Sequence, residues 1–301
     1  MNYAQLLFPD FSLILCGYLI CRYTALGRPV WQQVESLVYY FLFPVLLFHS
    51  IVRRPLEFEA ASGLVAAGLL TGLATIALAY ALPWLPWVGR HIERREHAAS
   101  AQVAFRFNSF IALTLAERIG GAPGVQLVSV LIGMCVPMFN VAAVWPMARH
   151  AQRGLAHELL RNPLIIATAC GLSANLAGFV MPQWLEPTVS RIGGASLALG
   201  LMAAGSGMHF GSLARAKMLA AALLAIRHLI APLVAFALAR AFALSPMHAM
   251  VLLMFSALPT ASSCYVLATR MGYDGSYVAG LVTLSTLMGM LSLPFALGLG
   301  R

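Results

Sequence analysis

Leu115-Ala-Glu-Arg-Ile-Gly120 returns 152 positions later (267 − 115 = 152) as Leu267-Ala-Thr-Arg-Met-Gly272. At this offset Asn108 stands opposite Thr260, and Phe107 stands opposite Pro259. All four residues lie in long apolar segments, so each half of the chain carries a polar interruption at an equivalent place. Apolar helices interrupted at corresponding points of two halves are typical of substrate sites inside a bilayer. The repeat therefore predicts a duplicated fold with its site at the two interruptions.

The amino-acid composition indicates a protein that lies in lipid. Of the 301 residues, 60% are hydrophobic and only 10% are charged, whereas a soluble domain is roughly 45–50% apolar and about 25% charged. We therefore expect an integral membrane protein. The excess of 19 basic over 10 acidic residues, +9 in all, would suggest a nucleic-acid partner for a soluble protein. Here membrane topology explains it, and no nucleic-acid partner is expected.

Ten segments are long and apolar enough to cross a bilayer, which requires about 20 residues. They are 5–21, 33–52, 60–82, 98–116, 124–147, 163–181, 188–208, 217–239, 247–268 and 277–299. The first Lys or Arg, Arg22, follows the first apolar run instead of preceding it. This order is unlike a cleavable signal peptide, so we expect the first helix to remain in the membrane.

The distribution of Lys and Arg predicts the sidedness of the chain. Eleven basic residues fall in loops 1–2, 3–4, 5–6, 7–8 and 9–10, against six on the opposite side. The positive-inside rule places the first set in the cytoplasm and both termini outside. Residues 1–150 and 151–301 then hold five spans each. Because five is odd, the second copy enters from the other face, and the pattern predicts an inverted 5+5 repeat.

Predicted helices 4 and 9 carry the polar interruptions near the middle of the membrane. They enter from opposite faces, and each reaches its polar cluster after roughly 15–18 Å of helix. Pro259 has no amide hydrogen and frees the carbonyl of Phe255 one turn earlier. The expected site residues here are Asn108, Ser109, Pro259, Thr260, Ser262 and Ser263. The alternative is a proline kink with Ser and Thr side chains bonded between helices, which is common in membrane bundles.

Two arginines, Arg106 and Arg227, lie within predicted spans 4 and 8. A buried guanidinium usually marks a pathway or a partner, and it suits bidentate binding of a carboxylate. The alternative for each arginine is snorkelling or pairing with backbone carbonyls. All ten acidic residues fall in loops or near the ends of spans. Because a cation antiporter would need a carboxylate in the membrane, an anionic substrate is favoured.

The motifs of enzymes and of metal sites are missing from the sequence. No GxSxG motif and no phosphate-binding glycine loop occurs. The cysteines form no CxxC or Cys/His spacing; they are Cys16, Cys21, Cys135, Cys170 and Cys264. We therefore expect no enzymatic activity, no metal and no cofactor.

Three motifs make the chain resemble the auxin efflux carrier family, which includes plant PIN proteins and bacterial organic-acid permeases. They are Phe41-Leu-Phe-Pro44, Arg106-Phe-Asn108 and Leu258-Pro-Thr-Ala-Ser-Ser-Cys-Tyr-Val-Leu-Ala268. The resemblance implies a fold similar to bile-acid and sodium/proton transporters, in which broken helices 4 and 9 cross. It also implies a dimerising scaffold of helices 1, 2, 6 and 7 and a transport domain of helices 3–5 and 8–10 that moves like an elevator.

The resemblance further implies that Asn108 contacts the carboxylate of the substrate. Phe107 stands where plant members carry a proline, which departs from the pattern expected for auxin itself. We therefore predict a secondary transporter of small organic or auxin-like carboxylates, working as a homodimer in a bacterial inner membrane. The coupling ion, H⁺ or Na⁺, is left open. The alternative is a membrane sensor or scaffold that binds a ligand without moving it.

Overall fold

A computed structural model describes residues 3–53, 62–86, 88–148, 161, 163–207 and 216–300. The regular secondary structure of these residues is helical throughout. In chain order the helices are α1 (Tyr3–Tyr23), α2 (Arg28–Leu37), α3 (Phe43–Val52), α4 (Ser62–Ala81), α5 (Arg94–Ser100), α6 (Ser109–Ala148), α7 (Pro163–Leu176), α8 (Glu186–Ser206), α9 (Lys217–Ala225), α10 (Ala231–Ala241), α11 (Pro246–Ser256), α12 (Ser263–Arg270) and α13 (Gly275–Leu299).

Single turns of other helical types link several of these helices. Val38–Leu42 is a π-helical turn between α2 and α3, and Ile226–Ile230 is a π-helical turn between α9 and α10. Ala101–Ala104 continues α5 as a 3₁₀ turn. Further 3₁₀ turns are Leu82–Trp84 and Gly89–His91. The predicted boundary between the two repeats, at 150/151, lies outside the described residues.

The length and composition of the helices are consistent with an integral membrane protein. Among the described residues, four helical stretches are long and apolar enough to cross a bilayer, and they are Ser62–Trp84, Val130–Ala148, Lys217–Ala241 and Gly275–Leu299. Ser12–Tyr23 and Pro246–Ser256 are shorter apolar helices. Large apolar side chains such as Leu291, 76% exposed, face outward. An outward apolar surface of this kind is stable against lipid.

Helix α6 contains a turn between the predicted spans 98–116 and 124–147. The backbone of Gly121 has φ 56° and ψ −151°, a conformation outside the helical region that glycine adopts without steric cost. A methyl group on the Cα of Gly124 would lie 2.7 Å from the carbonyl oxygen of Ala116. In a straight helix residues eight apart are separated by roughly 12 Å. The chain therefore folds back on itself here, and α6 comprises two helices in succession.

The helices pack in two groups. In the first group, α1 and α2 pack on α8, and α3 packs on α7 and α8. In the second group, α4 packs on α6 and α10, α11 packs on α6 and α13, and α12 packs on α13. The backbones of α1 and α8 touch, since a methyl group on Gly17 would lie 1.9 Å from the carbonyl oxygen of Met202. Small residues at this contact let the two helices approach closely.

Candidate substrate site

Two helices that the sequence predicted as spans 98–116 and 247–268 are each interrupted. The first interruption comprises Phe105 to Asn108, between the 3₁₀ turn and α6, and the second comprises residues 257–262, between α11 and α12. The second interruption contains Pro259, as expected. The first contains no proline, so its cause lies in contacts with other parts of the chain.

The two interruptions hydrogen-bond to each other. The backbone N–H of Asn108 donates to the carbonyl of Pro259 at 2.9 Å. The hydroxyl of Thr260 donates to the carbonyl of Val103 at 2.8 Å. Backbone groups released from a helix are costly in an apolar interior unless they are paired again. The second interruption thus pairs with Asn108 in the first and with Val103 just before it, which explains how the first can form without a proline.

Asn108 is the cap of the helix that follows it. Its side-chain oxygen accepts the N–H of Ile111 at 3.3 Å, and its carbonyl accepts the N–H of Ala112 at 3.1 Å. Asparagine is among the preferred N-cap residues because its short amide satisfies a free donor of the first turn. The N-terminus of a helix carries partial positive charge and attracts anions. Asn108 and Ser109 therefore place a positive helix end at the interruption.

A small pocket lies where the two interruptions meet. Its polar lining residues are Arg106, Asn108, Ser109, Asn140, Ser262 and Ser263, and its apolar lining includes Phe43, Phe107 and Phe139. The cavity volume is about 50 Å³, which is space for roughly three to five waters at about 10–15 Å³ each. No Asp or Glu is among the lining residues. The pocket combines neutral donors, one cation and apolar walls.

Arg106 brings a buried positive charge to this pocket. Its side chain donates to the side-chain oxygen of Gln102 at 2.9 Å and to that of Asn140 at 3.2 Å. The residue is only 5% exposed. Both partners are neutral, so the charge of Arg106 is held in place without being cancelled. A carboxylate that enters the pocket would supply the missing negative charge.

Arg227 has a different role from Arg106. Its Nε donates to the carbonyl of Leu258 at 2.7 Å, and its Nη2 donates to the carbonyl of Phe255 at 3.5 Å. Arg227 therefore pairs with the backbone around Pro259, including the carbonyl that this proline frees. It is absent from the residues that line the pocket. Of the two readings that the sequence allowed for Arg227, the contacts match pairing with backbone carbonyls.

Pro259 and Thr260 also lie behind the pocket. The hydroxyl of Ser285 accepts the backbone N–H of Thr260 at 2.8 Å and donates to its side-chain oxygen at 2.9 Å. A methyl group on Gly289 would lie 2.6 Å from the ring of Pro259, so only glycine leaves room for the ring.

Five of the eight predicted site residues line the pocket, namely Arg106, Asn108, Ser109, Ser262 and Ser263. The other three, Pro259, Thr260 and Arg227, hold the interruption in shape.

His228 is part of the same support. One ring nitrogen bonds to Ser285 and the other bonds to Ser292, both at 2.8 Å. Ser292 in turn donates to the carbonyl of Ala257 at 3.0 Å. Sequence reasoning missed Ser285 and Ser292, and it also missed Asn140 in the pocket. Asn140 carried one usable signal, since it is an amide inside an apolar span.

An ion pair within α2 is hydrogen-bonded to α12 at one end of the site region. Glu35 is 1% exposed and bonds to Arg28 at 2.6 Å. The hydroxyl of Tyr265 donates to Glu35, and Arg28 donates to that hydroxyl at 2.9 Å. From the sequence, Glu35 belonged with the acidic residues near span ends. The structure buries it, because Arg28 and Tyr265 from two helices enclose its carboxylate.

A second bond runs beside this ion pair. The guanidinium of Arg270, at the end of α12, donates to the hydroxyl of Ser36 in α2. It also lies 5.5 Å from the ring centre of Tyr40. Helix α12 begins at Ser263 in the pocket, so these bonds tie the site to the first group of helices through polar contacts.

The polar pocket between two interrupted helices lies within the part of the chain that matches known proteins. The family model described as membrane transport protein, the group of the auxin efflux carriers, matches residues 89–297. The chain belongs to this family. As a member of the membrane transport protein family it is a transporter and not an enzyme. The match covers both interruptions, the whole of α6 and the pocket residues from Arg106 to Ser263.

One relative is similar in sequence over nearly the whole length of this chain. The chain is 21% identical to the "Putative malonate transporter" of Rhizobium meliloti (strain 1021), over 95% of this chain and 92% of that protein. Family membership and the apolar helices together establish an integral membrane transporter of a small molecule.

Proposed function

We propose that the protein is a secondary transporter of small organic carboxylates. The observation that carries this proposal is the pocket at the two helix interruptions, where Arg106 is buried without an acidic partner among the described residues. Asn108, Ser109, Ser262 and Ser263 add neutral polar groups, and the N-terminus of α6 adds partial positive charge. This set favours an anion over a cation.

The size of the pocket favours a short carboxylate. Space for roughly three to five waters suits a molecule of a few heavy atoms better than an indole ring with its acid side chain. The name of the relative, which refers to malonate, points in the same direction. Asn108 and Arg106 would hold one carboxylate, while Phe107 and Phe139 would face the carbon chain.

We further propose that the chain has ten spans in an inverted 5+5 repeat. Residues 1–150 and 151–301 would form the two copies. Contact between Asn108 and Pro259 supports this arrangement, because the two interruptions correspond at an offset of 152 positions. The two packing groups support a scaffold of spans 1, 2, 6 and 7 beside a transport domain of spans 3–5 and 8–10. The scaffold would dimerise in a bacterial inner membrane with both termini outside.

Flux into proteoliposomes tests the proposed function. Purified protein should carry radiolabelled malonate across the membrane at a rate well above protein-free vesicles, and unlabelled short carboxylates should compete. An imposed pH gradient and an imposed sodium gradient, applied separately, identify the coupling ion. Binding of malonate without any flux would support the alternative of a membrane sensor. Absence of both binding and flux for every short carboxylate would contradict the substrate class.

Movement of the transport domain requires the contact between Tyr265 and Glu35 to break. In Tyr265→Phe the ion pair of Arg28 and Glu35 remains within α2 and Arg270 still bonds to Ser36, but the bond from Tyr265 to Glu35 is lost. Hydrogen bonds to charged groups contribute about 1.5–3 kcal/mol, so α12 should separate from α2 roughly ten- to a hundredfold more often. The measurement is the rate at which a maleimide labels Val266→Cys, a position of α12 that lines a pocket together with Ser196 of α8, in a chain whose native cysteines are replaced by serine.

Tyr273→Phe is the matched control for this experiment. The hydroxyl of Tyr273 donates to the carbonyl of Met147 at 2.8 Å, within the second packing group. Its loss should leave the labelling of Val266→Cys unchanged. Equal labelling rates in Tyr265→Phe and the unmodified protein would show that the contact with Glu35 does not restrain α12.

A further inference from the structure

A second, narrower pocket adjoins the candidate substrate site. It shares Phe43, Ser262 and Ser263 with the first pocket, and it extends between the two groups of helices to Ser196 of α8. Its cavity volume is about 10 Å³, which is space for about one water-sized group. Through these shared residues, the pocket of Arg106 adjoins the pocket of Ser196.

Two hydroxyl groups in the narrow pocket have no hydrogen-bond partner among the described residues. They belong to Ser196, which is 1% exposed, and to Ser263, which is 5% exposed. Buried serines outside the two pockets are bonded in the described residues, as Ser256 is to the carbonyl of Leu253 at 2.7 Å. A buried hydroxyl without a partner is unfavourable, so its presence calls for a ligand or a water. Two such groups at one pocket indicate a built site.

The charge of the surroundings indicates which ligand these hydroxyls bind. A serine hydroxyl can donate to an anion or accept from a cation. Neither pocket has an Asp or Glu among its lining residues, and Arg106 is the cation of the adjoining pocket. An uncompensated positive charge nearby disfavours a bound metal ion and favours a negative group. The hydroxyls are therefore placed to donate.

We propose that the narrow pocket binds the distal carboxylate of a short dicarboxylate, with Ser196 and Ser263 as its donors. This inference rests on the proposed function and adds a preference for dicarboxylates over monocarboxylates. One carboxylate lies at Arg106 and Asn108, and one oxygen of the other enters the narrow pocket. Since Ser196 belongs to α8 and Ser263 to α12, the substrate touches both packing groups. A monocarboxylate of similar length leaves both hydroxyls unpaired.

Competition between malonate and propionate in proteoliposomes tests this subsite. In Ser196→Ala the kcat/KM for malonate should fall roughly ten- to a hundredfold, the loss expected for one hydrogen bond to a charged group. The kcat/KM for propionate should stay unchanged, because propionate has no second carboxylate to bind. Ser263→Ala should likewise lower the kcat/KM for malonate relative to the kcat/KM for propionate. Ser196→Thr keeps the hydroxyl and should retain the preference for malonate.

Ser100→Ala is the matched control, since Ser100 is fully buried and its hydroxyl is already bonded to the carbonyl of Glu96 at 2.7 Å. It should leave the malonate-to-propionate ratio as it is. The subsite would be overturned if kcat/KM fell equally for malonate and propionate in Ser196→Ala and Ser263→Ala. It would also be overturned if kcat/KM changed for neither substrate. Propionate flux without malonate flux in the unmodified protein would overturn the subsite but keep the proposed function. Absence of flux for these two and for every other short carboxylate would remove the proposed function itself.

Discussion

Asn108→Ala is expected to reduce carboxylate flux to about one hundredth or less of the unmodified rate. The substitution removes the amide beside Arg106 in the pocket, and it also removes the cap on the N–H of Ile111. Loss of an N-cap costs about 1 kcal/mol, which is too little to unfold a protein of this size. Loss of a group that binds a charge in a desolvated site costs about 1.5–3 kcal/mol. Misplacement of the α6 N-terminus adds to the loss of flux.

Asn108→Asp separates the two roles of this residue. Aspartate caps a helix as well as asparagine does, so the interruption should keep its shape and the protein its thermal stability. Its negative charge would repel the substrate carboxylate and occupy Arg106, and flux should again be lost. The measurements are malonate flux in proteoliposomes and the unfolding midpoint in detergent. Substantial flux in either variant would contradict the placement of the substrate at Asn108.

Asn175→Ala is the matched control for both Asn108 variants. The Asn175 amide donates to the carbonyl of Ile51 at 2.7 Å, in the contact between α7 and α3. It lies outside the pocket lining. Its removal should lower stability to a similar extent and leave flux largely intact. If Asn175→Ala lost as much flux as Asn108→Ala, general destabilisation would explain the loss of flux in both variants.

Arg227→Met is expected to lower stability more than any other substitution considered. It leaves the carbonyl of Leu258 without its donor in an apolar interior and weakens the pairing of the Phe255 carbonyl. A hydrogen bond from a charged group to a buried carbonyl contributes about 1.5–3 kcal/mol. The unfolding midpoint in detergent should therefore fall by several degrees. Arg227→Lys keeps a donor but lacks the planar guanidinium. Its unfolding midpoint should therefore lie between those of the unmodified protein and Arg227→Met.

Arg106→Met is the comparison that separates the two arginines. Arg106 donates to the side chains of Gln102 and Asn140 and not to free backbone carbonyls. Its removal should abolish malonate flux while shifting the unfolding midpoint less than Arg227→Met does. If Arg227→Met kept its stability and lost flux as Arg106→Met does, Arg227 would belong to the substrate site. If both variants unfolded alike, the division between pocket and support would be wrong.

Local patterns in the sequence were sufficient for part of the site. The apolar runs predicted a membrane protein, Pro259 predicted an interruption, and the offset of 152 positions led to Asn108. Asn108 and Pro259 do hydrogen-bond to each other. These features could be predicted because each follows from neighbouring residues along the chain, through the composition of a span, the missing amide of proline or a repeated motif.

Tertiary structure alone decided which polar residues share one space. Ser196 and Asn140 lie on α8 and α6, far along the chain from Ser263, and no spacing rule connects them. Arg106 and Arg227 looked equivalent because each is a single cation inside an apolar span. They differ because Arg227 reaches the carbonyls of a neighbouring interruption, whereas Arg106 meets only neutral side chains around a cavity. The sequence thus determined the lipid environment, the two interruptions and the family. Only packing determined which polar residues share the pocket, because the partners of a buried charge come from whichever helices lie beside it.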